Sequence, residues 1–307
     1  VQKKLTQVVG ISGVALYVVF FIRNPNFPTP DKLLLFSTLL FMAFSQGWEL
    51  FKRLAPFVLL LAVYESFRSI ADVLNTHVNF TFMPAADRFM FFGALPTQTL
   101  QQWWWRGSVQ WYDIGFYLVY MLHFVLPIGL AILVWKTRTV QYWRFIATYV
   151  VLSFAGFLTF LLFPAGPPWM ASEKGIIPPL AHVSTFVWGA IGLKDVPSLY
   201  AQINPNPVAA VPSLHAAYAT LFSLFAITLY KTKWRYATLV YPLLIYVGTV
   251  YTAEHYVIDV VAGIVFALVA YKVTPSIMKV LRPRVVKVAR RTMPLRPRAV
   301  EAAGDPK

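Results

Sequence analysis

The chain has 307 residues, 58% of them hydrophobic and only 13% charged, with a mean hydropathy of +0.60. A soluble domain carries about 25% charged residues, so the composition excludes a water-soluble globule, a disordered chain and a coiled coil. The absence of Cys excludes a disulfide framework, thiolate metal sites and a Cys nucleophile. The net charge of +15 would by itself suggest nucleic acid, but the places where that charge sits point elsewhere.

A hydrocarbon core about 30 Å thick takes about 20 mostly apolar residues per helix. Eight stretches answer to that need, roughly 5–22, 32–48, 54–74, 112–135, 142–164, 210–230, 236–251 and 255–271, the second and seventh being short. The Lys3-Lys4 start with its apolar run has the look of a signal peptide. Arg23-Asn24-Pro25 follows instead of a small-residue cleavage site, so a retained span is expected. With the N-terminus inside, twenty of the 27 Lys and Arg residues fall on inner segments: Lys3-Lys4, Lys52-Arg53, Lys136 to Arg144, Lys231 to Arg235 and the tail from Lys272. Positive charge collects on the cytoplasmic side. The expectation is an all-α polytopic integral membrane bundle of about eight spans, with both termini cytoplasmic, in a plasma or inner membrane.

Four regions follow: N-terminal spans over 1–75, an extracytoplasmic interfacial segment over 76–111, a helical core over 112–273, and a basic tail over 274–307. The tail reads either as a solvated topology anchor or as a binder of anionic headgroups. It has no aromatic-interleaved basic groove of the kind that binds nucleic acid. In the interfacial segment, Trp103-Trp104-Trp105 and Trp111 fit a headgroup-level anchor or a ligand platform. Residues 165–209 are Pro-rich, and the apolar piece Ser184–Leu193 is too short to span.

Ionisable side chains are costly inside a membrane and face the bundle interior or a water-filled cavity. Here they gather at one level, at helix ends assigned to the outside from Lys and Arg alone. Glu65, Arg68 and Asp72 lie near the outer end of the third span and Asp113 at the start of the fourth. His215 opens the sixth span, while His255 and Asp259 open the eighth. His255 and Asp259 share a helix face at i, i+4. An Asp there can fix the imidazole tautomer and leave the other nitrogen free to attack, and a helix N-terminus favours an anion such as phosphate in front of it. A purely structural pair reads equally well from that spacing. In Val211-Pro212-Ser213-Leu214-His215, Pro and Ser suit a helix start but do not call for the His, which is placed to give a proton to a leaving oxygen. Pro164-Ala165-Gly166-Pro167-Pro168-Trp169 is a stiff turn at the outer end of the fifth span.

Other polar residues carry weaker signals. His123, about ten residues into the fourth span, reads as a packed polar residue. Asp113 and Asp87 fit either a polyol headgroup or a structural cap. His182 and Lys174 read as facing water.

Together, in this order, the three elements resemble the type 2 phosphatidic acid phosphatase superfamily. The likeness is nearest to its branch of inositol phosphorylceramide and sphingomyelin synthases. Pro212-Ser213-Leu214-His215, the Pro-Pro-Trp turn and His255-Tyr256-Val257-Ile258-Asp259 carry it, strongly over about 155–270. Leu95-Pro96-Thr97, Trp111-Tyr112-Asp113 and Tyr120-x-x-His123 extend it more loosely upstream. The resemblance implies a six-helix core preceded by two extra spans, and a two-step transfer without metal or cofactor. His255 would attack phosphorus to give a phosphohistidine, and Asp259 would orient it. His215 would protonate the leaving oxygen and then deprotonate the incoming hydroxyl. Ser213, with nearby backbone N–H groups, would hold the phosphate, and Gly166 and Pro167 would line its site.

The phosphatase branch carries a Lys and an Arg-Pro in its first motif and a Ser-Arg before its last His. No Lys or Arg stands here between Arg144 and Lys174 or between Arg235 and Lys272, and Glu254 precedes His255. A phosphomonoester carries close to −2, and fixed cations help spread that charge in transfer; a phosphodiester carries −1. The departure therefore favours a phosphodiester lipid donor and headgroup transfer to a lipid or glycan hydroxyl acceptor. Arg68, flanked by Glu65 and Asp72 at i−3 and i+4, either locks helices together or reaches the donor phosphate with Asp72 beside it. A lipid or polyprenyl phosphate phosphatase is the alternative, and a non-catalytic transporter or scaffold is a third reading.

Overall fold

A computed structural model of the chain describes residues 2–25, 30–44, 48–55, 57, 59, 63, 74–192 and 206–292. The described part is all-helical, with strand pairing confined to isolated bridges between Asn79 and Ala165 and between Ala165 and Ala209. In chain order the helices are α1 (Gln2–Arg23), α2 (Pro30–Ala43), α3 (Phe82–Met90), α4 (Pro96–Trp104), α5 (Trp111–Thr137), α6 (Thr139–Leu162), α7 (Pro168–Glu173), α8 (Val183–Ala190), α9 (Leu214–Leu229), α10 (Val240–Tyr251) and α11 (Val257–Thr292). A 3-10 segment, Lys233–Leu239, leads into α10. Residues 48–55 are also helical.

Lys4–Arg23, Thr139–Leu162 and Val257–Val280 are long and apolar enough to cross a membrane. Each of the last two rises about 36 Å at 1.5 Å per residue. Trp111–His123 and Val125–Thr137 pass together as a pair bent by 45°. Pro127 lies just past the bend; it has no N–H to give the His123 carbonyl and its ring crowds that oxygen. The expectation of eight spans is thus met only in part. Lys32–Ala43 and Leu214–Leu229 are apolar but short, α10 has only 12 residues, and most of 54–74 lies outside the described residues. At the C-terminus, α11 continues through Thr292, past residue 273.

The bundle is built around α9, which packs on α5, α6, α10 and α11. Its core is made by Ile128, Ala131 and Val134 of α5, Phe145, Tyr149 and Leu152 of α6, Leu221 and Phe225 of α9, and Ala267 and Ala270 of α11, closed by Leu50, Leu54 and Phe57. α1 runs along α2 and leaves Leu5, Ile11, Leu16 and Ile22 uncovered, as expected of a helix whose solvent is lipid.

The two ends of the bundle differ. At one, Thr137 Oγ1 meets Tyr230 Oη at 2.6 Å, beside the basic residues Lys136, Arg138, Lys231 and Lys233. At the other, the starts of α5, α9 and α11 meet the ends of α6 and α10. The Tyr251 hydroxyl donates to Asp113 Oδ1 at 2.5 Å, and the Ala165 N–H donates to the Val208 carbonyl at 2.8 Å.

Candidate active site

The residues of the three motifs meet at that second end. Ser213 caps α9, its Oγ accepting the Ala216 N–H at 3.3 Å, and its own O–H remains a donor. The cap points His215 across to the turn before α11, where His215 Nδ1 lies 3.1 Å from His255 Nε2. Behind His255, Nδ1 faces Asp259 Oδ2 at 3.6 Å, an ion-pair distance longer than a hydrogen bond. Asp259 is fully buried and His255 nearly so. A carboxylate behind Nδ1 favours the proton there, leaving Nε2 as the basic nitrogen.

Close backbone approach sets this geometry. The Ser213 N–H donates to the Asp259 carbonyl at 3.0 Å. One turn further along α11, a Cβ on Gly263 would lie 2.2 Å from the Ser213 carbonyl oxygen, so only glycine lets α11 sit this close. The His255 backbone is fixed in turn, its N–H and that of Glu254 both donating to the Thr249 carbonyl at 3.1 and 3.0 Å.

The start of α11 departs from the expectation of an open anion site. Asp259 Oδ2 accepts the Tyr256 N–H at 2.9 Å, half of a capping box. The next two N–H groups, of Val257 and Ile258, donate to Asp87 Oδ2 and Oδ1, each at 3.0 Å. Two buried carboxylates therefore already occupy the helix terminus that a phosphate would need. Burial pushes Asp87 up to about 6, with Asp259 adding to the rise and the two backbone N–H groups opposing it. Of the two readings open for Asp87, the geometry is that of a cap. Asp113 is likewise spent on structure: Oδ2 accepts the Gln110 N–H at 2.7 Å in a capping box, and Oδ1 takes the Tyr251 hydroxyl.

Gly166 and Pro167 sit beside the site without a free donor. The Gly166 N–H is held by the Asn79 carbonyl at 3.0 Å, Pro has none, and the Trp169 N–H goes to the Ala253 carbonyl at 3.2 Å. A Cβ on Gly166 would meet the Phe80 ring at 2.0 Å, so the glycine lets this ring pack closely and serves no hydrogen bond of its own to a ligand. Arg68 and Asp72, with Glu65, lie outside the described residues.

Several neighbours of the site were not legible in the sequence. Tyr120 stacks on His215 with centroids 4.4 Å apart, and His123 meets His215 edge-on at 4.4 Å. His123 Nδ1 donates to the Tyr120 carbonyl at 2.7 Å. His123 is thus packed, as expected, but against His215; the i, i+3 spacing of Tyr120 and His123 was the available signal. His182 does not simply face water. It lies flat on Trp169 at 4.6 Å, and its Nε2 is 3.0 Å from Glu254 Oε1. Burial raises Glu254, but His182, with Ser184 and His255 adding to it, outweighs burial and holds the carboxyl below its usual range. Lys174 sits over the Phe80 ring at 5.2 Å. Among the described residues, no three His, Asp or Glu side chains converge as a metal site.

Known proteins share stretches of this sequence. A stretch of 147 residues, 45% of this chain, is 33% identical to the phosphoinositol dihydroceramide synthase of Bacteroides thetaiotaomicron, covering 47% of that protein. A stretch of 173 residues, 55% of this chain, is 28% identical to the inositol phosphorylceramide synthase catalytic subunit of Schizosaccharomyces pombe, covering 38% of it. The chain thus spans less than half the length of these relatives. No solved structure matches it. The family model of the PAP2 superfamily matches residues 81–273, which takes in α3 through the first 17 residues of α11, and the chain belongs to that superfamily.

Proposed function

We infer that the protein is a membrane lipid phosphotransferase that moves a phosphate-linked headgroup, of the phosphoinositol type, from a phosphodiester lipid to a hydroxyl acceptor. The observation that carries this is the line Asp259–His255–His215, with His255 Nε2 3.1 Å from His215 Nδ1. The names of the two relatives support the headgroup class, and the shortage of Lys and Arg in the motifs supports a singly charged donor.

In the first half-reaction the donor phosphate displaces the 3.1 Å contact between the two imidazoles, so that His255 Nε2 faces phosphorus and His215 faces the leaving oxygen. The His255 Nε2–P bond forms as the bond from phosphorus to the lipid oxygen breaks, and His215 gives that oxygen its proton. In the second, His215 takes the proton of the acceptor hydroxyl, the new O–P bond forms and the P–N bond breaks. Asp259 keeps Nδ1 protonated and balances the charge that develops on His255. The Ser213 O–H donates to a non-bridging phosphate oxygen, Gly166 and Pro167 wall the site, and Arg68 supplies the cation at its mouth. We place the site on the extracytoplasmic face of an eight-span bundle with both termini cytoplasmic. The basic residues around Thr137 and Tyr230 at the opposite end support that orientation.

Product analysis tests the function. The reconstituted protein receives a headgroup-labelled anionic phosphodiester lipid and a mixture of hydroxyl acceptors, with His255→Ala as control. A new labelled product absent from the control is expected. His255-dependent phosphate release from a lipid phosphomonoester, without transfer, would instead make the protein a phosphatase.

A further inference from the structure

The two faces of α3 have different duties. One buries Met83, Pro84 and Asp87. The other leaves Phe82 uncovered and Phe89 86% exposed, and just past the helix Phe92 is fully exposed. Phe92 holds φ +53° and the following Gly93 φ +94°. A bulky side chain in the left-handed region is strained, yet here the strained turn directs an apolar ring away from the protein. Water returns nothing for that arrangement, whereas hydrocarbon does. Trp103, Trp111 and Phe186 are exposed as well and belong to elements at the same end of the bundle. Exposed aromatic rings at one level mark a membrane–water boundary.

α3 is fastened to the site at two points, one just before the helix and one on its buried face. Before the helix, Asn79 Oδ1 accepts the N–H groups of Thr81 and Phe82 at 3.1 and 2.8 Å and braces the helix start. The Asn79 backbone holds the Pro164–Trp169 turn, accepting from the Gly166 N–H and donating to the Pro164 carbonyl. At the other point, Asp87 holds the N–H groups of Val257 and Ile258, two and three residues beyond His255.

We propose that α3 is a membrane-seated positioning element: its Phe89–Phe92 face beds in the lipid at the site end, and Asp87 passes that seating to the first turn of α11, which carries Asp259 and follows His255. The kinetic consequence rests on the function inferred above; the seating and the cap can be tested without it.

Three readouts on the full chain in phosphatidylcholine nanodiscs decide the matter. Because the chain has no Cys, Phe92→Cys gives a single site for a nitroxide label. The label is expected to be accessible to oxygen and shielded from a water-soluble nickel complex. Access to nickel, or shielding from both by a protein partner or a second copy, overturns the lipid assignment. Hydrogen exchange over 256–260 is expected to quicken at least about tenfold in Asp87→Asn, which loses a charged acceptor. The double variant Phe89→Ser/Phe92→Ser, whose side chains are exposed and whose fold is therefore spared, is expected to quicken it in the same direction. With headgroup transfer as the assay, both variants lower kcat about tenfold with KM unchanged, and combining them adds little. Wild-type exchange over 256–260 in the double Phe variant overturns the coupling. Absence of transfer by the unmodified protein counts against the inferred function alone, because the label and the exchange still decide the seating.

Discussion

Gly263→Ala adds one methyl group where α11 crosses the turn that carries His215. The new Cβ would stand 2.2 Å from the Ser213 carbonyl oxygen. Ordinary contact needs about 1 Å more, and the obstacle is backbone, which no side-chain rotation relieves. The α11 axis and the Ser213 turn must therefore separate by about 1 Å. That shift stretches the Ser213 N–H to Asp259 carbonyl bond and opens the His215–His255 gap. A misplacement of about 1 Å can cost about 100-fold in rate, and overpacking a core costs about 1–3 kcal/mol. Headgroup transfer in vesicles should fall about 100-fold in kcat, alongside a lower unfolding temperature. Gly115→Ala is the matched control, because nothing lies within 4 Å of a Cβ there and a helical Gly→Ala change stabilises by about 0.4–1 kcal/mol. Wild-type kcat and stability in Gly263→Ala would refute the claim that this close approach sets the site.

The other predictions concern charge. Asp87 rises from 3.8 to about 6 in the folded chain, so its contribution to stability is complete below about 4 and is lost as pH rises through about 6, by at most about 3 kcal/mol. Asp87→Asn should flatten that slope in unfolding measured from pH 4 to 7; an unchanged slope would show that Asp87 is not its source. Glu254 is shifted the opposite way, so its contribution is present above about 4.5 and lost as pH falls. Glu254→Gln should remove that acid sensitivity and free His182 from Trp169, seen as a change in Trp fluorescence. Arg68→Lys should lower activity strongly in a protein that stays folded, because an ammonium cannot make the bidentate contact; full activity at matched folded protein would take Arg68 out of the site.

What the sequence made legible was local. The i, i+4 spacing of His255 and Asp259 and the Ser213 cap before His215 are short-range patterns, and in the fold His215 lies against His255 and His255 against Asp259. The partners brought in by tertiary packing were not legible. No sequence rule links Asp87 to Val257 and Ile258, 170 and 171 residues away. For that reason the helix terminus that was expected to be open to phosphate turns out to be capped by carboxylates. His182 had no visible partner until the fold set it on Trp169 and against Glu254. His123 reads as a packed residue in its span, but its partner His215 stands on another helix and no sequence spacing names it. The spans show the same limit: hydropathy marks apolar stretches, but it does not tell that Lys233–Leu239 forms a 3-10 segment and leaves α10 only 12 residues.

The proposed transfer passes through a covalent step at one nitrogen. The most direct measurement is to quench the reconstituted protein in base soon after mixing with donor lipid labelled in its headgroup phosphate, without acceptor. The peptide containing His255 is then analysed for an acid-labile adduct. The predicted result is one headgroup phosphate on His255, chased off by added acceptor hydroxyl and absent from His255→Ala. Steady transfer to acceptor with no adduct on His255, or transfer that survives His255→Ala, would contradict the account.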